Sequence, residues 1–364
     1  MSSLERLAQI LEAELTGDAM VEVTRDAHSA SCCASGDLFV AIKGFKADGN
    51  DYVQEAIRNG AVAVVSENPR PEGCEVAWLR VADARSALAI AAAEVYGHPS
   101  RNLSLVGVTG TNGKTTTVYL LDSIFRMVYG RSAMLTTICN RVGEEVVEAE
   151  RTTPEAHNIQ QLLRRAVDSG CAAPAMEVSS HAIDLHRADA LEFSGVVFTN
   201  LTQDHLDYHK TMEAYYNVKR RLFDGTLRAE RAAINIDCPY GARLVKEAAC
   251  PVLTYGLKAG EVRALRYDLS INGLSIDATA SGKSFRLKSR MVGRPHVYNI
   301  MAAVASSLSL GIEIEQIVAG VEALDCVPGR FDRVPFDGDF AVVVDYAHTD
   351  DALKNVLQTA REVA

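Results

Sequence analysis

Gly110-Thr111-Asn112-Gly113-Lys114-Thr115 is the part of this 364-residue chain whose residue types and spacing most plainly permit chemistry. Glycines let successive backbone N–H groups wrap an anion. A helix beginning at Lys114 would add the partial positive charge of its N-terminus. From that position Lys114 can reach the β- and γ-phosphates of a nucleotide, and Thr115 can ligate Mg²⁺. The run continues through Thr116 and Thr117. The strict phosphate-loop pattern G-x-x-x-x-G-K-[ST] asks for glycine where Val108 stands, so the match is partial. ATP is the ligand this loop predicts.

Three further groups could join such a site. Glu177, in Met176-Glu177-Val178-Ser179-Ser180-His181, follows a short apolar run. A carboxylate at a strand end suits a Mg²⁺ ligand, a base or a structural contact. Thr199-Asn200-Leu201-Thr202-Gln203-Asp204-His205-Leu206-Asp207-Tyr208-His209 crowds histidines and carboxylates after another apolar run. It could bind a metal, move protons, or form a solvated helix start. Lys219 sits beside Arg220 and Arg221, which by itself reads as a solvated basic face.

Such residues need elements to hold them. Leu4, Leu7, Ala8, Leu11 and Leu15 predict a helix over 4–15. Strands are expected at 20–23, 37–42 and 61–66, with a helix over 53–59 ended by Gly60 and another over 84–96. Gly97-His98-Pro99 marks a first boundary. A strand over 103–109, the glycine loop and a helix over 114–129 follow. Strands at 175–178 and 195–199 alternate with helices such as 156–168, which predicts an α/β fold with a mostly parallel sheet. Residues 261–291 read as β-rich with a turn at Asn272-Gly273, followed by a helix over 297–310. Pro328-Gly329-Arg330 marks a second boundary, before a strand at 340–345 and a helix over 351–363. The expected domains are 1–100, 101–330 and 331–364, the last a truncated start.

Hydrophobic residues are 48% and charged residues 23% of the chain, a balance that supports buried cores. The net charge of -10 argues against nucleic acid as a partner. The eight cysteines form no C-x-x-C pair and read as reduced, buried small hydrophobes. No apolar run reaches the ~18 residues of a membrane helix. Glu5, Glu12 and Glu14 interrupt any signal-peptide core, so a cytoplasmic protein is expected.

Taken together these segments resemble the Mur ligases, ATP-dependent enzymes that add amino acids to the peptidoglycan precursor in bacteria. The resemblance rests on the glycine loop, Glu177-Val-Ser-Ser-His, the 199–209 cluster, Asn299 in His-Val-Tyr-Asn-Ile-Met-Ala-Ala, Gly329-Arg330-Phe331 and Asp345-Tyr-Ala-His348. Thr152-Thr153-Pro154 and Gly36–Gly44 point to the family members that add the third residue. The resemblance implies an N-terminal UDP-binding α/β domain, a central P-loop ATPase domain with a mostly parallel sheet, and the truncated start of a Rossmann-like C-terminal domain. It implies amide-bond formation through an acyl phosphate, with ATP and Mg²⁺. The partners would be a UDP-linked muramoyl dipeptide and a free amino acid, meso-diaminopimelate or L-lysine, with the enzyme a monomer. Lys114, Glu177, His205 and Lys219 would be catalytic. Thr115, Glu177, His205 and Lys219 would hold metal, Lys219 as a carbamate. Asn299, Arg330 and Asp345 would join Gly110–Thr116 on the nucleotide. Phe45, Lys46, Ala47, Thr152, Thr153, Ser179 and Arg187 would hold the sugar-peptide. Ser29-Ala30-Ser31 replaces the family's usual Asp-Ser-Arg, and His296 stands where asparagine is common. A folylpolyglutamate- or cyanophycin-type ligase and a non-catalytic nucleotide-binding fragment are the alternatives.

Overall fold

The computed structural model describes residues 2–336 and 338–363; Met1, Asp337 and Ala364, the first and third including the outer limits of the expected domains, lie outside it. Contacts divide the chain into two compact units. The first holds residues 1–102 together with 154–167 and 181–191; the second holds 103–153, 168–180 and 192–364. This grouping differs from the contiguous segments expected from sequence. The reason is local: Ala156 joins the first unit's apolar core, Arg187 pairs with Glu155 at 2.8 Å, and the His28 and His157 rings stand 4.7 Å apart. Residues 331–363 group with the second unit.

The first unit is built on a five-stranded sheet in the order Glu14–Thr16, Ala77–Arg80, Ala61–Ser66, Asp37–Val40, Arg25–Ala27. Only the edge pairing of Glu14–Thr16 is antiparallel. Asp37–Val40 is buried along its whole length, which fits a central parallel strand covered on both faces. Helix Ala84–Val95 starts where Asp83 accepts from the N–H groups of Arg85 and Ser86 at 2.8 and 3.0 Å, an N-cap. The helix expected over 4–15 is shorter. It ends at Ile10, because Glu14–Thr16 leaves it to become the edge strand. Ala77–Arg80 and the Glu14–Thr16 strand escaped sequence reading because each is too short to show a period.

The second unit carries an eleven-stranded sheet. From Ser132–Leu135, through Ala173–Glu177, Val106–Thr109, Gly195–Phe198, Ala232–Asn235 and Val252–Gly256, to Val262–Ser270, every pairing is parallel. Antiparallel hairpins extend both edges, Cys139–Val142 with Glu145–Glu148 on one side and Gly273–Ala280 with Lys283–Ser289 on the other. The turn expected at Asn272-Gly273 lies one residue earlier, because Gly273 already pairs with Ser270 and leaves Ile271 and Asn272 as the loop. Helix Lys114–Tyr129 buries Val118, Leu121, Ile124 and Phe125 in the unit's apolar core, and Arg294–Ser309 packs beside it. Truncating Phe125 to alanine would cost about 3–5 kcal/mol, the usual loss for a buried aromatic.

Val108 explains the imperfect motif. It is a fully buried strand residue, paired with Glu177 on one side and Val197 on the other. The turn begins only at Gly110, so the first motif glycine has no loop to serve. Cys33, Cys74 and Cys171 are buried as expected, but Cys32 and Cys326 are exposed. Among the described residues no helix is long and apolar enough to cross a membrane.

Burial in the first unit creates one measurable liability. Asp26 is 2% exposed, and its carboxyl is pushed up to about 7, chiefly by burial and secondarily by Asp37. A raised carboxyl pKa means the folded state holds the proton longer than the unfolded chain. Stability from this group is therefore lost as pH rises from about 4 to about 7, at on the order of 1.4 kcal/mol per pKa unit. Thermal unfolding of Asp26→Asn against the parent should show near-equal melting at pH 4. The variant should gain progressively up to pH 7 and hold a constant advantage above it. A difference independent of pH would contradict this reading.

Candidate active site

The glycine loop, Glu177 and the 199–205 segment meet at the carboxyl ends of three adjacent parallel strands, Val106–Thr109, Ala173–Glu177 and Gly195–Phe198. The chain leaves Val106–Thr109 for a strand on one side and later returns on the other. A crevice forms at such a reversal in an open α/β sheet.

The loop is latched to the segment after Gly195–Phe198. Thr111 N donates to Asn200 O at 2.9 Å, Asn112 N to Asn200 Oδ1 at 3.0 Å, and Thr199 Oγ1 to Asn112 O at 2.6 Å. A side chain at Gly110 would collide with Thr199 Oγ1, and one at Gly113 with Asn299 Oδ1. Gly113, at φ +89°, is the left-handed cap from which helix Lys114–Tyr129 starts. No side chain caps that helix end, so its first N–H groups face the crevice. This is the arrangement a phosphate needs.

Two lysines converge behind the loop. Lys114 Nζ donates to Gly110 O at 3.0 Å and to Thr111 O at 2.8 Å. Lys219 Nζ donates to the same Gly110 O at 3.0 Å and lies 4.7 Å from the centre of the Tyr215 ring. Lys219 is 1% exposed, not on a solvated face. Burial, and then the Lys114 charge, hold the Lys219 amine well below the ordinary lysine range, against the opposing pull of Asp204. Burial also lowers Lys114, opposed by Glu177 and Asp204.

Glu177, 1% exposed, accepts from Thr115 Oγ1 at 2.9 Å, Thr137 N at 2.8 Å and Thr137 Oγ1 at 3.1 Å, all on Oε1. Arg330 Nη2 donates to Thr115 Oγ1 at 3.0 Å. Asp345 accepts from Phe331 N at 2.6 Å and Ala347 N at 2.8 Å, fixing the turn that presents Arg330. A cavity of about 350 Å³ is bounded by these groups, with Thr116, Asn299, Asp204 and His205 also on its wall. That volume lies in the ordinary range for a small-molecule site, about 300–1,000 Å³.

His205 takes a left-handed backbone, φ 52°, at the start of the turn Leu206–His209, and its side chain is half-exposed. Its imidazole is lowered, mostly by burial, with Lys114 and Lys219 adding to the effect and Asp204 opposing it. His209 has a different role. It is buried, hydrogen-bonds Ser180 Oγ at 2.9 Å and stacks on Tyr215 at 4.9 Å, so it props the scaffold.

Thr152, Thr153 and Ser179 gather on the far side of Glu177. Thr153 Oγ1 donates to Glu177 O at 2.9 Å, Ser179 N donates to Thr153 Oγ1 at 3.1 Å, and Thr137 Oγ1 lies 3.2 Å from Thr152 Oγ1. Phe45, Lys46, Ala47 and Arg187 belong to the first unit. There Gly44 N and Ala47 O close a tight turn at 2.9 Å that leaves Phe45 79% exposed, with Arg85 5.8 Å from its ring centre. Ser29 and Ser31 bond each other at 3.0 Å in a short helical turn beside the Arg25–Asp37 ion pair.

The donor set was tested against a divalent ion. The Thr115 hydroxyl and the Glu177 carboxylate are hydrogen-bonded neighbours at 2.9 Å, oxygen donors of the kind Mg²⁺ takes. Among the described residues, however, no group of three or more His, Cys, Asp or Glu stands close enough to hold a metal. Lys219 donates to the Gly110 carbonyl oxygen, and as an ammonium it has no lone pair to offer a metal. The residues fit an ion that keeps waters and shares phosphate oxygens, not one caged by protein.

Sequence reasoning did not select Thr137, Asp204, His296, Tyr346 or His348, all on the cavity wall. Asp204 and His348 were inside quoted motifs, so their signal was present. Thr137 lies in a loop after Ser132–Leu135 and had none. His296 is buried with Nδ1 unpartnered among the described residues, and burial pushes it down to about 4, so it is neutral.

Two family models match the chain: the Mur ligase middle domain over residues 108–307 and the Mur ligase family catalytic domain over residues 27–96. The chain belongs to the Mur ligase family. It is 44% identical to the UDP-N-acetylmuramoyl-L-alanyl-D-glutamate--2,6-diaminopimelate ligase of Geobacter sulfurreducens, over 99% of this chain and 72% of that protein. The ligase of the same name from Geobacter metallireducens is also 44% identical, over the same shares. A solved structure of a UDP-N-acetylmuramoyl-L-alanyl-D-glutamate--2,6-diaminopimelate ligase matches with a TM-score of 0.83 and 26% identity, covering 100% of this chain and 74% of that one.

Gly113→Ala tests the loop. Its side chain would meet Asn299 Oδ1 in a left-handed backbone that costs an ordinary residue roughly 1–2 kcal/mol. Titration with ADP should show affinity reduced by at least about tenfold, equivalent to 1.4 kcal/mol, with an unchanged circular dichroism spectrum. Unchanged affinity would place the phosphates elsewhere.

Proposed function

We propose that this chain carries the nucleotide and precursor sites of an ATP-dependent ligase. The reaction joins meso-diaminopimelate to the D-glutamate carboxylate of UDP-N-acetylmuramoyl-L-alanyl-D-glutamate. The observation that carries the reading is the meeting of Lys114, Thr115 and Glu177 on one cavity, with Lys219 bonded behind the loop to the same Gly110 carbonyl as Lys114, in a chain 44% identical to ligases of that name. The curated names favour diaminopimelate over L-lysine, and over the folate and cyanophycin alternatives.

A carboxylate is a poor electrophile, so it must be activated before an amine can attack. One of its oxygens attacks the γ-phosphorus of ATP, the bond from that phosphorus to the β-bridging oxygen breaks, and ADP leaves. The amine nitrogen then attacks the acyl carbon, phosphate departs, and the nitrogen loses a proton. Lys114 and Arg330 lie where charge builds on the transferring phosphoryl group. Thr115 and Glu177 would hold Mg²⁺, which neutralises phosphate charge when bound. Gly110–Thr116 wrap the phosphates, and Asn299 and Asp345 position the nucleoside side. Thr152, Thr153 and Ser179 are assigned to the sugar-peptide, and so are Phe45, Lys46, Ala47 and Arg187.

Lys219 has a second part. Burial and the Lys114 charge shift the Lys219 amine toward its neutral, nucleophilic form. Its Nζ adds to CO₂, loses a proton to solvent and becomes a carbamate. That anion would join His205 in holding a second ion, which the ammonium cannot do. We further propose residues 1–100 as the precursor-binding domain and 101–330 as the ATPase domain, in a monomer of the bacterial cytoplasm.

The test is ADP formation by the complete protein with the UDP-linked dipeptide and meso-diaminopimelate. Lys114→Ala should lower turnover by about 100-fold or more, the usual cost of removing a transition-state charge partner. ADP formation at the parental rate would refute the mechanism. For Lys219, isotopically labelled bicarbonate should give a carbamate carbon resonance in the parent and none in Lys219→Arg. The same spectrum from both would remove Lys219 from the metal set.

A further inference from the structure

The final described helix, Asp350–Val363, forms one wall of the nucleotide cavity. Ala352, Asn355, Val356 and Thr359 face it, at helical spacing. Two fastenings hold the helix there. Near its end, Thr359 is 3% exposed and packs against Gly293, the cap of helix Arg294–Ser309. The fit is tight enough that any side chain at Gly293, itself at φ +102°, would strike Thr359.

The other fastening is on the phosphate loop. Asp351 Oδ2 accepts from Asn112 Nδ2 at 2.9 Å and from Thr202 Oγ1 at 3.2 Å, with Asn355 Nδ2 of its own helix at 3.4 Å. Asn112 is a loop residue whose backbone N–H is held by Asn200. Thr202 N in turn donates to Thr111 Oγ1 at 3.0 Å. One carboxylate oxygen thus grips the loop directly and through the segment that latches it. Hydrogen bonds to an ionised acceptor are about twice as strong as neutral ones.

We propose that Asp351 is a positioning residue for the nucleotide site: it straps helix Asp350–Val363 to the phosphate loop, so that nucleotide binding and helix docking favour each other. Resting on the nucleotide reading above, the coupling must be reciprocal, because the helix lines the cavity and the strap ends on a residue of the loop that takes the phosphates.

Hydrogen exchange of segments 110–118 and 350–363, read by mass spectrometry with and without ADP, tests this. Without nucleotide, Asp351→Ala should speed exchange in 350–363 by about tenfold, within the range of coupling energies between sites. Asp351→Asn keeps an acceptor oxygen and should restore most of the protection. With ADP, the parent should slow both segments. Asp351→Ala should slow only 110–118 and bind ADP about tenfold more weakly. Unchanged exchange of 350–363 in nucleotide-free Asp351→Ala overturns the strap. ADP protecting neither segment of the parent would instead refute the nucleotide reading and the coupling with it, while the nucleotide-free comparison still decides the contact.

Discussion

A single carbonyl oxygen, that of Gly110, receives both Lys114 and Lys219 at 3.0 Å. Two ammonium groups cannot share one neutral acceptor in a buried place without cost. Their repulsion is stronger there than in water. The site is therefore biased before any ligand arrives. Relief comes from an anion entering the loop beside Lys114, or from Lys219 giving up its proton. Both outcomes serve an enzyme that gathers phosphate charge, and the rest of the site is arranged around this constraint.

The scaffold makes the crowding tolerable. Tyr215 offers its ring face to Lys219, and His209 stacks on that ring. Asp204 raises both lysines against the pull of burial. The parallel strands deliver the loop, Glu177 and Thr199 to one edge, and helix Lys114–Tyr129 anchors the loop through buried Ile124 and Phe125. Polar residues of the loop satisfy one another through Asn200, Thr199 and Thr202, leaving the helix N-terminus as the open donor set.

The parts of this site most legible from sequence were those with a local signature. Gly110–Thr115 declared itself through glycine spacing, and Lys114–Tyr129 through its period, matching the helix bounds observed. Lys219 was illegible by itself. Beside Arg220 and Arg221 it looks solvent-facing, and only tertiary packing buries it. The same holds for the first unit, which recruits 154–167 and 181–191 across a long stretch of chain. No periodicity marks that choice, because it depends on contacts such as Arg187 with Glu155. Val108 looked like a defect in the motif and is instead a strand residue. Family resemblance supplied roles for Arg330 and Asp345. The geometry adds that Asp345 secures the turn from which Arg330 reaches Thr115.

The central claim is that burial and Lys114 keep the Lys219 amine from holding its proton as an ordinary lysine does. Nuclear magnetic resonance titration of lysine side chains in buffer stripped of CO₂, assigned through Lys219→Arg, reads this directly. The account predicts a Lys219 amine titrating well below the usual value of about 10.4. A Lys219 that titrates at the usual value would contradict it.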